Sequence, residues 1–153
     1  MSNTLPEMSL KIIGTVRNDM KEPGGRANVK EIVSEIVLDE SLAGSLDSID
    51  TYDYVTVIYY FHKTDPKEPK PNKVHPHRNP ENKLRGIFAT RGPGRPNSMG
   101  MAAAKILEVG DHTMKVSGLD AIDGSPIIDL KPYNPKIDTR PSRITRLDLD
   151  QSV

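Results

Sequence analysis

The chain of 153 residues contains no cysteine. Without thiols it can form no disulfide, iron–sulfur cluster or thiolate zinc site, and enzymes with a cysteine nucleophile are excluded. It also has no run approaching 18 apolar residues, and its first residues, MSNTLPEMSL, hold neither a basic segment nor a continuous apolar one. We therefore expect a cytoplasmic protein without a membrane span.

The common nucleotide-binding and hydrolase motifs are missing as well. The glycine-rich stretch GPGRPNSMG is neither a P-loop, because no Gly-Lys-Ser/Thr follows, nor the GxGxxG of dinucleotide-binding folds. GxSxG is absent, and no Ser-His-Asp order can be recognised. His62, His75 and His77 have no carboxylate pattern beside them that would complete a metal site, so no metal is expected.

The composition favours a β-rich domain. Hydrophobic residues make up 35% of the chain, and 13 prolines and 11 glycines indicate many turns and short elements. Period-2 alternation predicts strands over residues 10–18, 29–39, 54–62, 86–91, 102–111, 113–120 and 125–133. The spacing of Leu42, Leu46 and Ile49 predicts one short helix.

These elements predict an all-β fold, a single closed antiparallel barrel of about seven strands, because closure removes exposed edges. A long proline-rich loop spans residues 63–83, and its prolines and charges predict an absence of regular structure there. We assign residues 1–137 to the barrel and residues 138–153 to a C-terminal tail.

Basic residues are concentrated in the middle of the chain. From Lys63 to Lys105 there are ten Lys and Arg against three Asp and Glu, whereas the remainder carries eleven basic and eighteen acidic residues. This basic island, residues 63–105, favours an anionic partner such as RNA, DNA or a phosphorylated small molecule. A lysine-rich loop that is merely solvated would have the same composition.

Two other stretches are candidates for a binding site. In GPGRPNSMG the glycines permit close approach of the backbone, and Pro93 and Pro96 stiffen the loop that carries the arginines. A rigid structural turn is the alternative. Asp120, Asp123 and Asp129 lie within ten residues and could bind ribose hydroxyls or a cation, although Asp123-Gly124 also predicts a simple hairpin turn.

Four segments together carry a resemblance to a known family. IIGTVRN, Phe61-His62, RGIFATRGPGRPNSMGM and GLDAIDGSPIIDLKPY resemble, in order and spacing, the TrmO (YaeB/TsaA-like) family over about residues 10–135. The resemblance implies a seven-stranded antiparallel barrel that binds S-adenosylmethionine and forms a homodimer. It also implies methyl transfer to N6 of threonylcarbamoyladenosine beside the anticodon, with the tRNA anticodon stem-loop as partner.

The resemblance also implies a set of site residues. Those expected at the cofactor are Arg26, Phe61, His62, Arg91, Met101, Ile122, Asp123, Gly124 and Ser125. Arg95 and Asn97 are candidates for substrate positioning or for structural support of the site. The family's usual RPNPIG reads RPNSMG here, FHQ reads FHK, and the C-terminal domain of many bacterial relatives has no counterpart. A cofactor-binding sensor or accessory subunit, and a methyltransferase for another small substrate, therefore remain alternatives.

Overall fold

A closed barrel of six antiparallel strands forms the body of the protein. The computed structural model describes residues 4–22 and 28–141. The barrel order is β1-β2-β7-β6-β3-β8, and β4 and β5 form a separate two-stranded sheet. The strands are β1 (Gly14–Arg17), β2 (Val33–Leu38), β3 (Tyr54–Tyr60), β4 (Lys73–Val74), β5 (Arg85–Gly86), β6 (Met99–Val109), β7 (Thr113–Ser117) and β8 (Pro126–Pro132). The predicted all-β closed antiparallel barrel is confirmed, with six barrel strands in place of about seven.

The interior of the barrel is filled by alternate side chains of its strands. On β3, Val55, Val57 and Tyr59 point inward and are at most 4% exposed. They pack against buried residues of the other strands, which include Val16, Ile36, Ala104, Met114, Val116 and Ile127. Each such aliphatic side chain contributes about 1.5–3 kcal/mol relative to exposure. The β-branched alternation of β3 thus places it in the barrel wall.

The predicted helix around Leu42, Leu46 and Ile49 is wrong. This stretch forms short 3₁₀ turns, Glu40–Leu42 and Ile49–Thr51. Gly44 has φ +85° and Ser48 has φ 69°, and left-handed residues interrupt a right-handed helix. Leu46 is nevertheless buried in the barrel core, and Leu42 and Ile49 are partly buried against it.

The one short α-helix of the described residues is α1 (Pro135–Asp138). It begins with a proline, and the Asn134 side chain accepts a hydrogen bond from the Lys136 N–H at 3.0 Å. The predicted boundary between barrel and tail stays a prediction, because residues 142–153 lie outside the described residues.

The predicted strand over residues 86–91 is also wrong. Only Arg85 and Gly86 pair with β4, and Ile87–Ala89 forms a 3₁₀ turn. The Ile87 N–H donates to the Asn72 carbonyl at 2.9 Å, so this turn is fixed by the long loop rather than by the barrel. The proline-rich loop itself contains the short strand β4 and the turn Pro76–Arg78, in contrast to the expected absence of regular structure.

One end of the barrel collects the segments that were predicted to be functional. Tyr60 at the end of β3 pairs with Met99 at the start of β6, and Tyr59 pairs with Ile127 near the start of β8. We call this end of the barrel the loop end. Within residues 4–22 and 28–141, no helix is long and apolar enough to cross a membrane.

Candidate functional site

Three chain segments meet at the loop end. Phe61 and His62 follow β3, the loop 90–98 precedes β6, and the loop 118–125 precedes β8. The Phe61 N–H donates to the Ser98 carbonyl at 2.9 Å, which ties the first segment to the second. The antiparallel register therefore brings together residues separated by up to about sixty positions in sequence.

Tyr59 lies at the centre of these segments, and the sequence analysis missed it. Its hydroxyl donates to the Asp120 carbonyl at 2.5 Å, and its ring packs edge-on against Phe61 with centroids 5.4 Å apart. Burial raises the pKa of Tyr59 to about 12; the Asp120 charge adds to this rise and Arg91 opposes it. The hydroxyl therefore remains a hydrogen-bond donor at neutral pH. Its only signal in the sequence was its inward position on β3.

Gly100 allows the two aromatic rings to pack against β6. A Cβ atom at this position would lie 2.6 Å from Cζ of Tyr59 and 2.8 Å from Cζ of Phe61. Both approaches are far inside van der Waals contact, so any side chain here would displace the rings. Packing of the Tyr59 and Phe61 rings thus explains the glycine of the Gly100-Met101 pair in the motif RPNSMGM.

His62 carries a buried polar atom that lacks a partner. Its Nδ1 makes no hydrogen bond with any of the residues that the structure describes. Its Nε2 lies 3.7 Å from the place that a Cβ of Gly124 would occupy. Since buried polar atoms are nearly always hydrogen-bonded, the unpaired Nδ1 is a position that a polar ligand would satisfy.

The loop 118–125 is held in shape by its own side chains. The Asp123 carboxylate accepts hydrogen bonds from the Lys21 ammonium at 2.5 Å and from the Asn18 N–H at 3.0 Å, and both lower the pKa of this carboxyl. The Ser125 hydroxyl donates to the Ile122 carbonyl at 2.7 Å. These side chains therefore shape the loop. Asp123 and Gly124 form a turn, but the predicted hairpin is wrong, because β7 and β8 are not neighbours in the barrel.

The remaining acidic residues of this region are separated by the fold. The Asp120 side chain is exposed beside Tyr59. The neighbouring Ile122 is instead buried against Met20 and Ile32. Asp129 lies on β8, pairs with Lys131 at 3.1 Å, and borders a cavity of about 540 Å³ at the opposite end of the barrel. Of the three clustered aspartates, Asp120 is the one whose carboxylate is left for a ligand at the loop end.

The two arginines of the glycine-rich loop have different surroundings. The Arg91 guanidinium donates to the Met101 carbonyl at 2.5 Å and is exposed. The Arg95 guanidinium donates to the carbonyls of Thr90 at 3.0 Å and Gly92 at 3.1 Å, so it closes the loop on itself. This favours structural support among the roles expected for Arg95.

The other predicted site residues are more dispersed. Met101 is 53% exposed on the outward face of β6, and Asn97 is exposed at the tip of the loop. Arg26 lies outside the described residues. Across residues 4–22 and 28–141, no group of three or more His, Asp or Glu is placed to hold a metal ion.

Comparison with known proteins identifies the family. Residues 14–139 match the family model of the tRNA-methyltransferase O N-terminal domain. The chain belongs to the TrmO family. It is 38% identical over 134 residues to an S-adenosyl-L-methionine-binding protein of Archaeoglobus fulgidus, covering 86% of this chain and 93% of that protein.

Two other TrmO-family comparisons involve longer proteins. The tRNA (adenine(37)-N6)-methyltransferase of Escherichia coli is 31% identical over 139 residues, which cover 84% of this chain and 59% of that enzyme. A crystal structure of TrmO superposes with a TM-score of 0.73 at 23% identity, covering 94% of this chain and 65% of the solved one. At 23% sequence identity, this superposition shows that the two proteins share a fold and nothing further. The chain thus spans nearly all of the archaeal relative but less than two thirds of these two proteins.

Proposed function

We propose that this TrmO-family chain binds S-adenosylmethionine at the loop end and transfers its methyl group to N6 of an adenine in tRNA. The observation that carries the proposal is His62, whose buried Nδ1 is unpaired and whose Nε2 lies beside Gly124, where the three family segments meet. The family match and the names of the relatives from Archaeoglobus fulgidus and Escherichia coli support it.

The residues at the loop end suit a nucleoside cofactor. Phe61 offers an aromatic ring, His62 a ring nitrogen that needs a partner, and Asp120 a carboxylate suited to ribose hydroxyls. The exposed Arg91 guanidinium would pair with the carboxylate of the cofactor. We propose these four side chains, with the Gly124 backbone, as the cofactor-binding set.

The reaction needs positioning more than acid–base chemistry. Bound S-adenosylmethionine would supply an activated methyl group to the adenine N6, with release of S-adenosylhomocysteine and of the N6 proton. The chain has to hold the nitrogen in line with the methyl group, since misplacement by about 1 Å can cost on the order of 100-fold in rate. The loop 90–98, closed on itself by Arg95, provides a rigid edge for this purpose.

The finer parts of the proposal come from the family. We propose threonylcarbamoyladenosine next to the anticodon as the substrate, and the basic island as the surface that contacts the phosphates of the anticodon stem-loop. A homodimer and a cytoplasmic location stay predictions.

A cofactor-binding sensor or accessory subunit is the second candidate. It is favoured by one observation: a relative of Archaeoglobus fulgidus that this chain spans nearly completely is called a binding protein, whereas the methyltransferase of Escherichia coli is considerably longer. Such a protein would retain the cofactor pocket without transferring the methyl group.

Incubation with methyl-labelled S-adenosylmethionine and RNA distinguishes the two candidates. Native tRNA, an unmodified transcript of the same tRNA and RNA lacking the anticodon loop would be compared by nucleoside analysis. We expect label in N6-methylated threonylcarbamoyladenosine of native tRNA only. Label in the transcript would contradict the threonylcarbamoyl substrate. Cofactor binding without labelled RNA would favour the sensor.

A further inference from the structure

Phe88 is an aromatic side chain held in solvent by a rigid turn. It is 79% exposed, whereas the adjacent Ile87 is 5% exposed and Thr90 is 8% exposed. Both the N–H and the hydroxyl of Thr90 donate to the Ile87 carbonyl, at 3.1 Å and 2.8 Å. The exposure of Phe88 is therefore fixed by the fold. Together with the neighbouring Ile58, Met99 and Met101 the ring forms a contiguous apolar patch, which indicates a binding surface.

Phe88 borders a groove on the outer wall of the barrel. The groove measures about 340 Å³, near the lower limit of ligand-binding pockets. Its floor is formed by Ile58 of β3 with Met99 and Met101 of β6, and its polar edge is formed by Arg95 and Asn97. Because side chains alternate along a strand, these residues face away from Tyr59 and the interior. The groove therefore adjoins the proposed cofactor site without being part of it.

The stretch of chain that supplies most of the groove carries charge of one sign. From Asn82 to Leu107 the chain has no acidic residue, and its basic residues are Lys83, Arg85, Arg91, Arg95 and Lys105. Arg91 is bound to the carbonyl of Met101, a floor residue, so its guanidinium also lies beside the groove.

This charge distinguishes between two possible occupants. A second copy of the chain, docked about a two-fold axis through the groove, would bring the same arginines together and repel. An RNA strand would instead neutralise them. The combination of an exposed aromatic ring with surrounding cations is typical of proteins that stack unpaired bases.

We propose that Phe88 stacks on an unpaired base of the RNA substrate, with Arg95 and Asn97 at the edge of that base. The inference rests on the proposed function, since it assumes RNA as the substrate. A stacked base would anchor the strand on the outer wall, next to the nucleotide that receives the methyl group. Phe88 is thus a residue of substrate recognition and makes no contact with the cofactor.

The test compares Phe88→Ala with Phe88→Trp. Binding of a fluorescently labelled tRNA anticodon stem-loop is measured by anisotropy at fixed salt, with the fully paired stem as a second probe. Loss of one base stack predicts a decrease in affinity of about 5- to 150-fold for Phe88→Ala, and retained affinity for Phe88→Trp. The paired stem should bind both variants equally.

Leu84→Ala is the matched control, because Leu84 is a 48% exposed apolar residue of the same basic island. It should leave binding of the stem-loop unchanged. Cofactor affinity by calorimetry and mass by light scattering should be the same for all variants and the parent.

Three results would overturn the inference. They are parental stem-loop affinity in Phe88→Ala, an equal loss for the paired stem, and a changed molecular mass, which would assign the groove to a second copy. The proposed function fails separately if Phe88 matters for RNA binding but the parent transfers no methyl group. If the parent binds no RNA at all, both fail.

Discussion

At the scale of single residues, Tyr59 joins the parts of the proposed cofactor site. Its hydroxyl contacts the loop 118–125, its ring contacts Phe61, and the absence of a side chain at Gly100 lets it pack on β6. A motif search does not find such a residue, because its partner Asp120 lies 61 positions away in sequence.

Replacement of Tyr59 by phenylalanine removes the hydrogen bond and preserves the ring. The Asp120 carbonyl loses its donor, and a net hydrogen bond of about 0.5–1.5 kcal/mol corresponds to a decrease in cofactor affinity of about 2- to 12-fold. Calorimetric titration with S-adenosylmethionine measures this effect, and Tyr60→Phe on the opposite face of β3 is the control. A Tyr59→Phe variant with a lower free energy of unfolding but parental cofactor affinity would show that the hydroxyl is only structural.

At the scale of elements, the loop 90–98 divides its two arginines between different tasks. Arg95 donates to two carbonyls of its own loop, and Arg91 donates to one carbonyl of β6 while it remains exposed. The prolines and glycines of the sequence predicted a stiff loop. They could not predict which arginine is used to close it.

The two arginine substitutions should therefore have different effects. Arg91→Ala removes the proposed partner of the cofactor carboxylate and should raise the cofactor dissociation constant about 10- to 150-fold, equivalent to about 1.5–3 kcal/mol. Arg95→Ala should loosen the loop, which lowers turnover and RNA affinity while cofactor affinity stays near parental.

Lys115→Ala is the control for these variants, since it removes one exposed positive charge from β7 outside the basic island. Calorimetry and initial rates with native tRNA separate the effects. Loss of cofactor binding in Arg95→Ala with the fold intact, or parental methylation by both arginine variants, would contradict the assignment of roles.

The elements also indicate how much of the fold the sequence predicts. β3 was predicted to within two residues, because β-branched residues alternate along it and its inward side chains are fully buried. The stretch from Gly86 to Arg91 failed because Ile87 bonds to Asn72 of the distant loop, and local alternation carries no information on that contact. Phe61, His62 and Gly124 were found through the family motifs, and their proximity follows from strand register.

At the scale of the whole molecule, a chain of zero net charge concentrates its basic residues in one segment. Net charge is zero, but the basic island is followed by a part of the chain in which acidic residues are again frequent. In the proposed function the basic part contacts RNA, while the end of the barrel next to it binds the cofactor. Both surfaces depend on one barrel, whose closure places the ends of β3, β6 and β8 side by side.

Calorimetric titration of the purified parent chain with S-adenosylmethionine tests the central claim most directly. The account predicts saturable binding with one cofactor per chain. It also predicts weaker binding by His62→Ala, which removes the ring whose Nδ1 is unpaired and whose Nε2 lies beside Gly124. Circular dichroism confirms that the barrel is folded in both proteins. The absence of saturable binding by the folded parent chain at millimolar cofactor would contradict the account.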